Sequence, residues 1–382
     1  MSGRLHDPER AARLVLSVVG EPGDPRLLGL VAELGPVEVL AALREQSNHG
    51  ELREALAARL AAARPVEVLA AAAARGIRFV VPGDAEWPET LADLEHAPLL
   101  HERGRVPLGL WVRGRLRLDE VAGGVAVVGA RSATEYGART AADLGAALAE
   151  AGHAVISGAA FGIDQAAHRG ALAVRGPTVA VLACGVDRAY PLAHEQLLGV
   201  IADEGLVVSE AAPGLAPTRI RFLARNRLIA ALSSGVVVVE AAVRSGALNT
   251  ANWGDGLGRR VMGVPGPVTS ATSQGVHQLI RTRHALLVTD GHDVLEAVSE
   301  AGDHVGAHLS APGRPRDMLS PEERQVLDAV PVRRAATPAQ IARAAGLGER
   351  VVAVALVALA GSGLVEQRAD RWRLRGSGAG DS

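Results

Sequence analysis

Four arginines, Arg219, Arg221, Arg225 and Arg227, fall within nine consecutive residues, with Phe222 set among them. A guanidinium is a permanent cation with a planar fork of donors, so the cluster suits a run of phosphates, and the interleaved aromatic offers a surface on which a base can stack. The plainer reading is a solvated helix face with a buried phenylalanine. Three small-residue loops point to the same chemistry. Gly129-Ala130-Arg131-Ser132-Ala133-Thr134 supplies a tight turn at Gly129, a helix cap at Ser132 or Thr134, and an anion donor at Arg131. Ser157-Gly158-Ala159-Ala160-Phe161-Gly162-Ile163-Asp164 and Ser245-Gly246-Ala247-Leu248-Asn249 each open a helix whose free N–H groups favour negative charge. Each loop alone is an ordinary strand-to-helix turn; three around one sheet edge are not. Asp164 and His168, four apart on one helical face, read as an acid-base pair or as an Asp near a helix N-terminus bonding its neighbour.

The elements that must position these loops show as an alternation. Short β-rich runs at 125–128, 154–156, 178–182, 207–209, 236–239, 261–264 and 286–288 are separated by helical patterns. This predicts an α/β fold, a Rossmann-like, doubly wound and mainly parallel sheet covered on both faces, over residues 119–300. In such a sheet the ligand site lies at the carboxyl ends of the strands, where the three loops fall. Residues 1–78, rich in Ala, Leu, Glu and Arg, predict a small helical domain. Residues 79–118, marked by Trp87, Pro88, Pro98 and Trp111, read as an extended connector. A linker is expected at 301–317, a further small domain at 318–375 and a disordered tail at 376–382. In that last domain, Thr337-Pro338-Ala339-Gln340-Ile341-Ala342 followed by Gly346-Leu347-Gly348 looks like a helix-turn-helix, with a wing ending near Trp372. Its presumed recognition helix, from Glu349 to Leu356, is nearly bare of side chains that read bases.

Composition narrows the classes. Of 382 residues, 48% are hydrophobic and 21% charged, which describes a folded chain of two or three domains. Forty basic and 42 acidic residues leave a net charge of −2, so any anion site is local. All the basic residues are arginine; without lysine, P-loop and Schiff-base chemistry are excluded. Cys184 is the only cysteine, which leaves no intrachain disulfide and no multi-cysteine zinc site. No cofactor is expected. The polar start and the absence of a long apolar run predict no signal peptide, no membrane span and a cytoplasmic protein.

Six blocks carry a resemblance. VGARSATEYG at 128–137, SGAAFGIDQAAHRGAL at 157–172, AVLACGVDRAYP at 180–191, FLARNRLIAALS at 222–233, VVVEAAVRSGALNTA at 237–251 and VPGPVTSATSQGVHQLI at 264–280 are ordered and spaced as in the DNA-processing protein A (DprA, also Smf) family. The departures are Leu223, where the family usually has Pro; Asn249, in place of an aliphatic; His277, in place of Asn; and Arg283-His284, where Gly is usual. The flanks resemble the family by pattern only: a SAM-like or helix-hairpin-helix-like start and a winged-helix-like end.

The resemblance implies a non-enzymatic protein that binds single-stranded DNA with little sequence preference and loads the RecA recombinase onto it in natural transformation, and that pairs as a homodimer. It implies backbone contacts from Gly129, Arg131, Ser157, Gly158, Arg225, Asn226, Arg227 and Gly246, with Phe222 as a base-stacking residue. Arg221 completes an arginine strip with Arg131, Arg225 and Arg227. Asn226 reads equally as a loop-fixing side chain, and Phe222 as core. With about 2% aromatic residues, binding is expected to rest on phosphates and to depend steeply on salt. Two other classes compete. One is a nucleotide hydrolase or phosphoribohydrolase with Glu210, Glu240 or Asp164 as general base; its usual PGGxGTxxE-type loop is represented only by Val264-Pro265-Gly266-Pro267. The other is a nucleotide-sensing transcriptional regulator, against which the apolar recognition helix argues.

Overall fold

The structure, a computed structural model, describes residues 7–45, 51–283, 285–299 and 319–375. The expected linker at 301–317 and tail at 376–382 lie outside the described residues. The described residues form two compact units, one up to residue 299 and one from 319.

The first unit opens with five helices, α1 (Pro8–Val19), α2 (Pro25–Leu34), α3 (Pro36–Arg44), α4 (Glu51–Ala62) and α5 (Pro65–Ala73). Proline begins four of them, where its missing N–H is no loss and its fixed φ suits a first turn. Their apolar faces close over Leu16, Leu27, Leu28, Val39 and Leu40. The chain continues through β1 (Ile77–Val80), β2 (Leu110–Gly114), α6 (Leu118–Val121), β3 (Gly124–Val128), α7 (Glu135–Glu150), β4 (Val155–Ser157), α8 (Ile163–Ala173), β5 (Thr178–Val181), α9 (Glu195–Glu204), β6 (Leu206–Ser209), α10 (Arg219–Ala231), β7 (Ser233–Val238), α11 (Gly246–Gly256), β8 (Arg260–Gly263), α12 (Ala271–Arg283), β9 (Leu286–Leu287) and α13 (Gly291–Val298).

These strands make one nine-stranded sheet in the order β1-β2-β6-β5-β4-β3-β7-β8-β9. From β6 to β9 every pairing is parallel. Alternation along each strand serves both faces. Ala126, Val128, Ile156 and Val236 join one core, while Val125, Val127, Val155 and Val237 join another beneath α7 and α8. The predicted α/β class is therefore the observed one.

The stretch read as an extended connector, 79–118, is a correction. It carries half of β1 and all of β2, which pair antiparallel with each other, and β2 continues antiparallel onto β6. Strands of four and five residues set among prolines and glycines show too little periodicity to read; the open edge of β6 makes them strands by taking up their backbone groups. Trp111 on β2 is fully buried and donates from Nε1 to Ser17 Oγ of α1 at 3.0 Å. The helical start is thereby joined to the sheet as part of one unit.

The second unit holds α14 (Pro321–Ala329), α15 (Pro338–Ala345), α16 (Glu349–Gly361), β10 (Val365–Arg368) and β11 (Arg371–Leu374). Thr337 and Gln340 form a reciprocal cap on α15, and Gly346, at φ 66°, ends it. The two strands form a hairpin, and Ala336 bridges to Trp372. Val326, Ile341, Leu356, Leu359 and Trp372 are its core. Among the described residues no single helix is long and apolar enough to cross a membrane.

Candidate functional site

A cleft of about 550 Å³ opens at the carboxyl ends of the central strands. It lies where the chain order reverses, β4 flanking β3 on one side and β7 on the other, the place at which neighbouring loops diverge in a doubly wound sheet. Gly129 and Arg131 reach it from the loop after β3, Asp164 from the start of α8, Tyr190 from the loop after β5, and Ser245 and Gly246 from the start of α11. Helix α10 forms the remaining wall through Phe222, Arg225 and Asn226. Local capping sets these starts. Thr134 Oγ1 accepts the Gly137 N–H at 3.1 Å for α7, Thr218 Oγ1 that of Arg221 at 3.3 Å for α10, and Ser245 Oγ that of Ala247 at 3.3 Å for α11.

Three arginines, Arg131, Arg219 and Arg225, make the cleft cationic. Arg131 is exposed and, among the described residues, has no ion pair; its guanidinium carbon lies 5.0 Å from the Phe222 ring centre. Arg225 stands 5.7 Å from the same ring and is only 7% exposed. Tyr190 tilts against Phe222 at 5.6 Å between ring centres. Arg225 occupies the space that Gly158 leaves, since a Cβ there would sit 1.2 Å from its Nη1. Its nearest counter-charge is Asp164, 4.0 Å away, whose Oδ2 already accepts the N–H groups of Gly158 at 3.1 Å and Ala160 at 3.4 Å. Burial pulls the Arg225 guanidinium down and pushes the Asp164 carboxyl up, each opposed by the other's charge. Arginine does not deprotonate in proteins, so Arg225 carries a buried charge with one distant carboxylate and an Nε without a partner among the described residues.

The other two members of the expected strip are turned away from the cleft. Arg227 is fully buried and donates from Nη2 to Glu210 Oε1 and Oε2 at 2.7 and 2.8 Å. Glu210 Oε1 also accepts the Gly23 N–H at 3.2 Å, and Gly23, at φ 65°, packs its turn against Ala224. Burial pushes Glu210 up and pulls Arg227 down, while their mutual attraction opposes both shifts. Arg221 donates from Nε and Nη2 to Glu21 at 3.0 and 2.9 Å. These two arginines tie α10 to the turn between α1 and α2, because a buried guanidinium takes the nearest carboxylate.

Other sequence expectations also change. Ser157 is buried and its hydroxyl donates to Val127 O at 2.6 Å, which binds β4 to β3 and leaves it off the cleft lining. Gly129 lines the cleft but not as a left-handed turn; a Cβ there would meet Ile163 Cγ1 at 2.5 Å. Asn226 donates from Nδ2 to Asn249 Oδ1 at 3.0 Å and Gly246 O at 3.4 Å, so the unusual Asn249 is the partner that locks α10 to α11. His168 makes no pair with Asp164. Thr178 Oγ1 gives its proton to Val155 O at 2.8 Å, so His168 Nδ1–H donates to Thr178 at 2.7 Å, and burial pulls the ring to about 3. Of the carboxylates weighed as general bases, Glu210 is paired with Arg227, and Glu240 accepts from Thr134 N at 2.9 Å and Oγ1 at 2.6 Å. Burial pushes the Cys184 thiol up to about 11. Tyr190 and Ser245 line the cleft but were not singled out as contact residues, for which the AYP and RSG of the matched blocks were the available signals; Arg219, counted in the arginine cluster but left out of the expected strip, lines it too.

The family described as DNA recombination-mediator protein A matches residues 78–299. A chain named as a DNA processing protein DprA in Mycobacterium tuberculosis is 46% identical over 379 residues, covering 98% of this chain and 97% of that one. Among solved structures, the DNA processing protein A of Streptococcus pneumoniae is 30% identical with a TM-score of 0.61, covering 77% of this chain and 98% of that one. That of Helicobacter pylori, whose structure concerns its single-stranded DNA binding mode, is 26% identical with a TM-score of 0.50, over 57% and 94%.

Proposed function

This chain belongs to the DNA recombination-mediator protein A (DprA/Smf) family, and on that premise we propose that the cleft holds the sugar-phosphate backbone of single-stranded DNA. The observation that carries this is the unequal pairing of the arginines. Arg221 and Arg227 have close carboxylates, whereas among the described residues Arg131 has none and Arg225 has one at 4.0 Å. A phosphate at the cleft supplies the counter-charge that Arg225 lacks and bonds both guanidinium groups. Phe222, half-buried between them, gives a base one aromatic face. Gly129, Gly246 and Asn226 shape the walls, and Gly158 makes room for Arg225.

In this reading the protein is a cytoplasmic mediator and not an enzyme. It delivers a RecA-type recombinase to the bound strand during transformation and works as a homodimer. Family membership supports these steps. The three helices and hairpin of the second unit support the winged-helix-like reading, and α16 turns Val351, Val354 and Val357 to solvent, which favours an auxiliary role over operator recognition.

The test is fluorescence anisotropy of labelled oligo-dT and a matched duplex across a salt series. Single strands should bind tightly and duplex weakly, with a steep salt slope, and Arg225→Ala should weaken binding about tenfold or more. Oligo-dT that does not bind, or an Arg225→Ala protein that behaves as wild type, overturns the reading.

A further inference from the structure

A second groove, of about 670 Å³, lies between α7 and α8 and shares one residue with the cleft, Arg131. Its floor is made of small side chains, among them Ala138, Ala142 and Ala166, so a chain can approach closely. Phe161 and Arg169 stand on its rim with Gln165 between them in sequence. Phe161 is 46% exposed for a large aromatic, held edge-on by His194 at 4.6 Å between ring centres. Arg169 is exposed and, among the described residues, has no ion pair, and no acidic residue lines the groove. An unpaired guanidinium, an exposed ring with a fixed orientation and an amide side chain are the groups that take a phosphate, a base face and a base edge.

We propose that this groove is the continuation of the single-strand path: the strand passes over Arg131, which contacts it from both sides, and runs between α7 and α8 with a phosphate on Arg169 and a base on Phe161. The inference rests on the single-strand reading of the first cleft. It adds that the occupied length of DNA exceeds what that cleft holds. It also explains why Arg131 stays free of carboxylates, since it stands at the junction of the two grooves.

Oligo-dT of about four nucleotides, enough for the first cleft, is compared with oligo-dT of about twelve. With wild type, the longer strand should bind tighter than its extra registers alone explain. Phe161→Ala should weaken the long strand about tenfold and leave the short one unchanged. Arg169→Ala, at an exposed position with no partner to lose, should weaken only the long strand and make its salt slope shallower by about 0.7. Phe161→Leu, which keeps an apolar contact with His194, controls for the fold and should lose the long-strand preference as the alanine variant does. If both variants bind the long strand as wild type does, or lose short and long strands alike, the groove is not on the path. A wild type that binds neither strand overturns the first-cleft reading as well; normal short-strand binding with indifferent Arg169 and Phe161 variants overturns this inference alone.

Discussion

Helix α10 presents the same residue type to two environments. Toward the cleft, Arg225 is buried with its one carboxylate at 4.0 Å; toward the α1–α2 turn, Arg227 and Arg221 have carboxylate oxygens at 2.7 and 2.9 Å. The far side is electrostatically closed and the near side left open. A charge compensated inside the fold stabilises the fold, whereas an uncompensated one at a cleft attracts a ligand, and distance to a carboxylate separates the two roles more surely than burial does. Arg225 and Arg227 are both buried, yet only Arg225 has anion chemistry to offer.

The comparison breaks most visibly through Glu210. Glu210→Ala strands a fully buried Arg227 charge and is expected to cost about 3–5 kcal/mol of stability in urea unfolding, whereas the double change Glu210→Leu with Arg227→Met should recover most of it. A loss below about 1 kcal/mol for the single change would mean that the far side is not closed by this pair. A buried histidine of α8 supplies the next effect. His168 is held neutral at about 3, below its ordinary 6.5, so the unfolded chain binds the proton first as pH falls. Its contribution is whole above pH 6.5 and is lost on acidification toward pH 3, by about 2 kcal/mol between pH 6.5 and pH 5. Denaturant melts of wild type and His168→Gln at pH 7 and pH 5 check this; equal acid slopes in both would overturn it.

Arg131→Ala against Arg221→Ala sharpens the contrast directly. The first should weaken oligo-dT binding by about 1.4 kcal/mol and reduce the salt slope by about 0.7 with stability unchanged, the second should lower stability by about 1 kcal/mol and leave the slope alone. Anisotropy and thermal melts on the same preparations read both, and exchanged outcomes would reverse the assignment of the two sides. The smallest effect is expected at Ser157→Ala, which removes the bond to Val127 and should cost about 1 kcal/mol of stability without touching affinity.

The central strands β3, β5, β6 and β7 were legible because each is a short valine-rich run that begins at or just after glycine or proline, and burial on both faces demands that composition. The loops at 129–134 and 245–249 were legible because capping is local: Thr134 and Ser245 need only the next three residues to do their work. The two antiparallel edge strands escaped, since β1 and β2 become strands only by adding to β6. The arginine strip divides in the fold. Three of its four members lie within seven residues of one helix, but Glu21 and Glu210, about 200 and 17 positions away from Arg221 and Arg227, decided which of those three remain open. Ser157, at the end of β4, and Asn226, within α10, bond inside the fold, because a hydroxyl or amide bonds whatever backbone or side chain the fold brings nearest.

By itself, then, the sequence determined the alternating elements, the caps, the absence of lysine chemistry and the family, all of which rest on neighbours along the chain or on composition. The tertiary structure decided which charges are spent internally and which face a ligand, because ion pairing depends on distances of a few ångströms between residues that only the folded chain brings together.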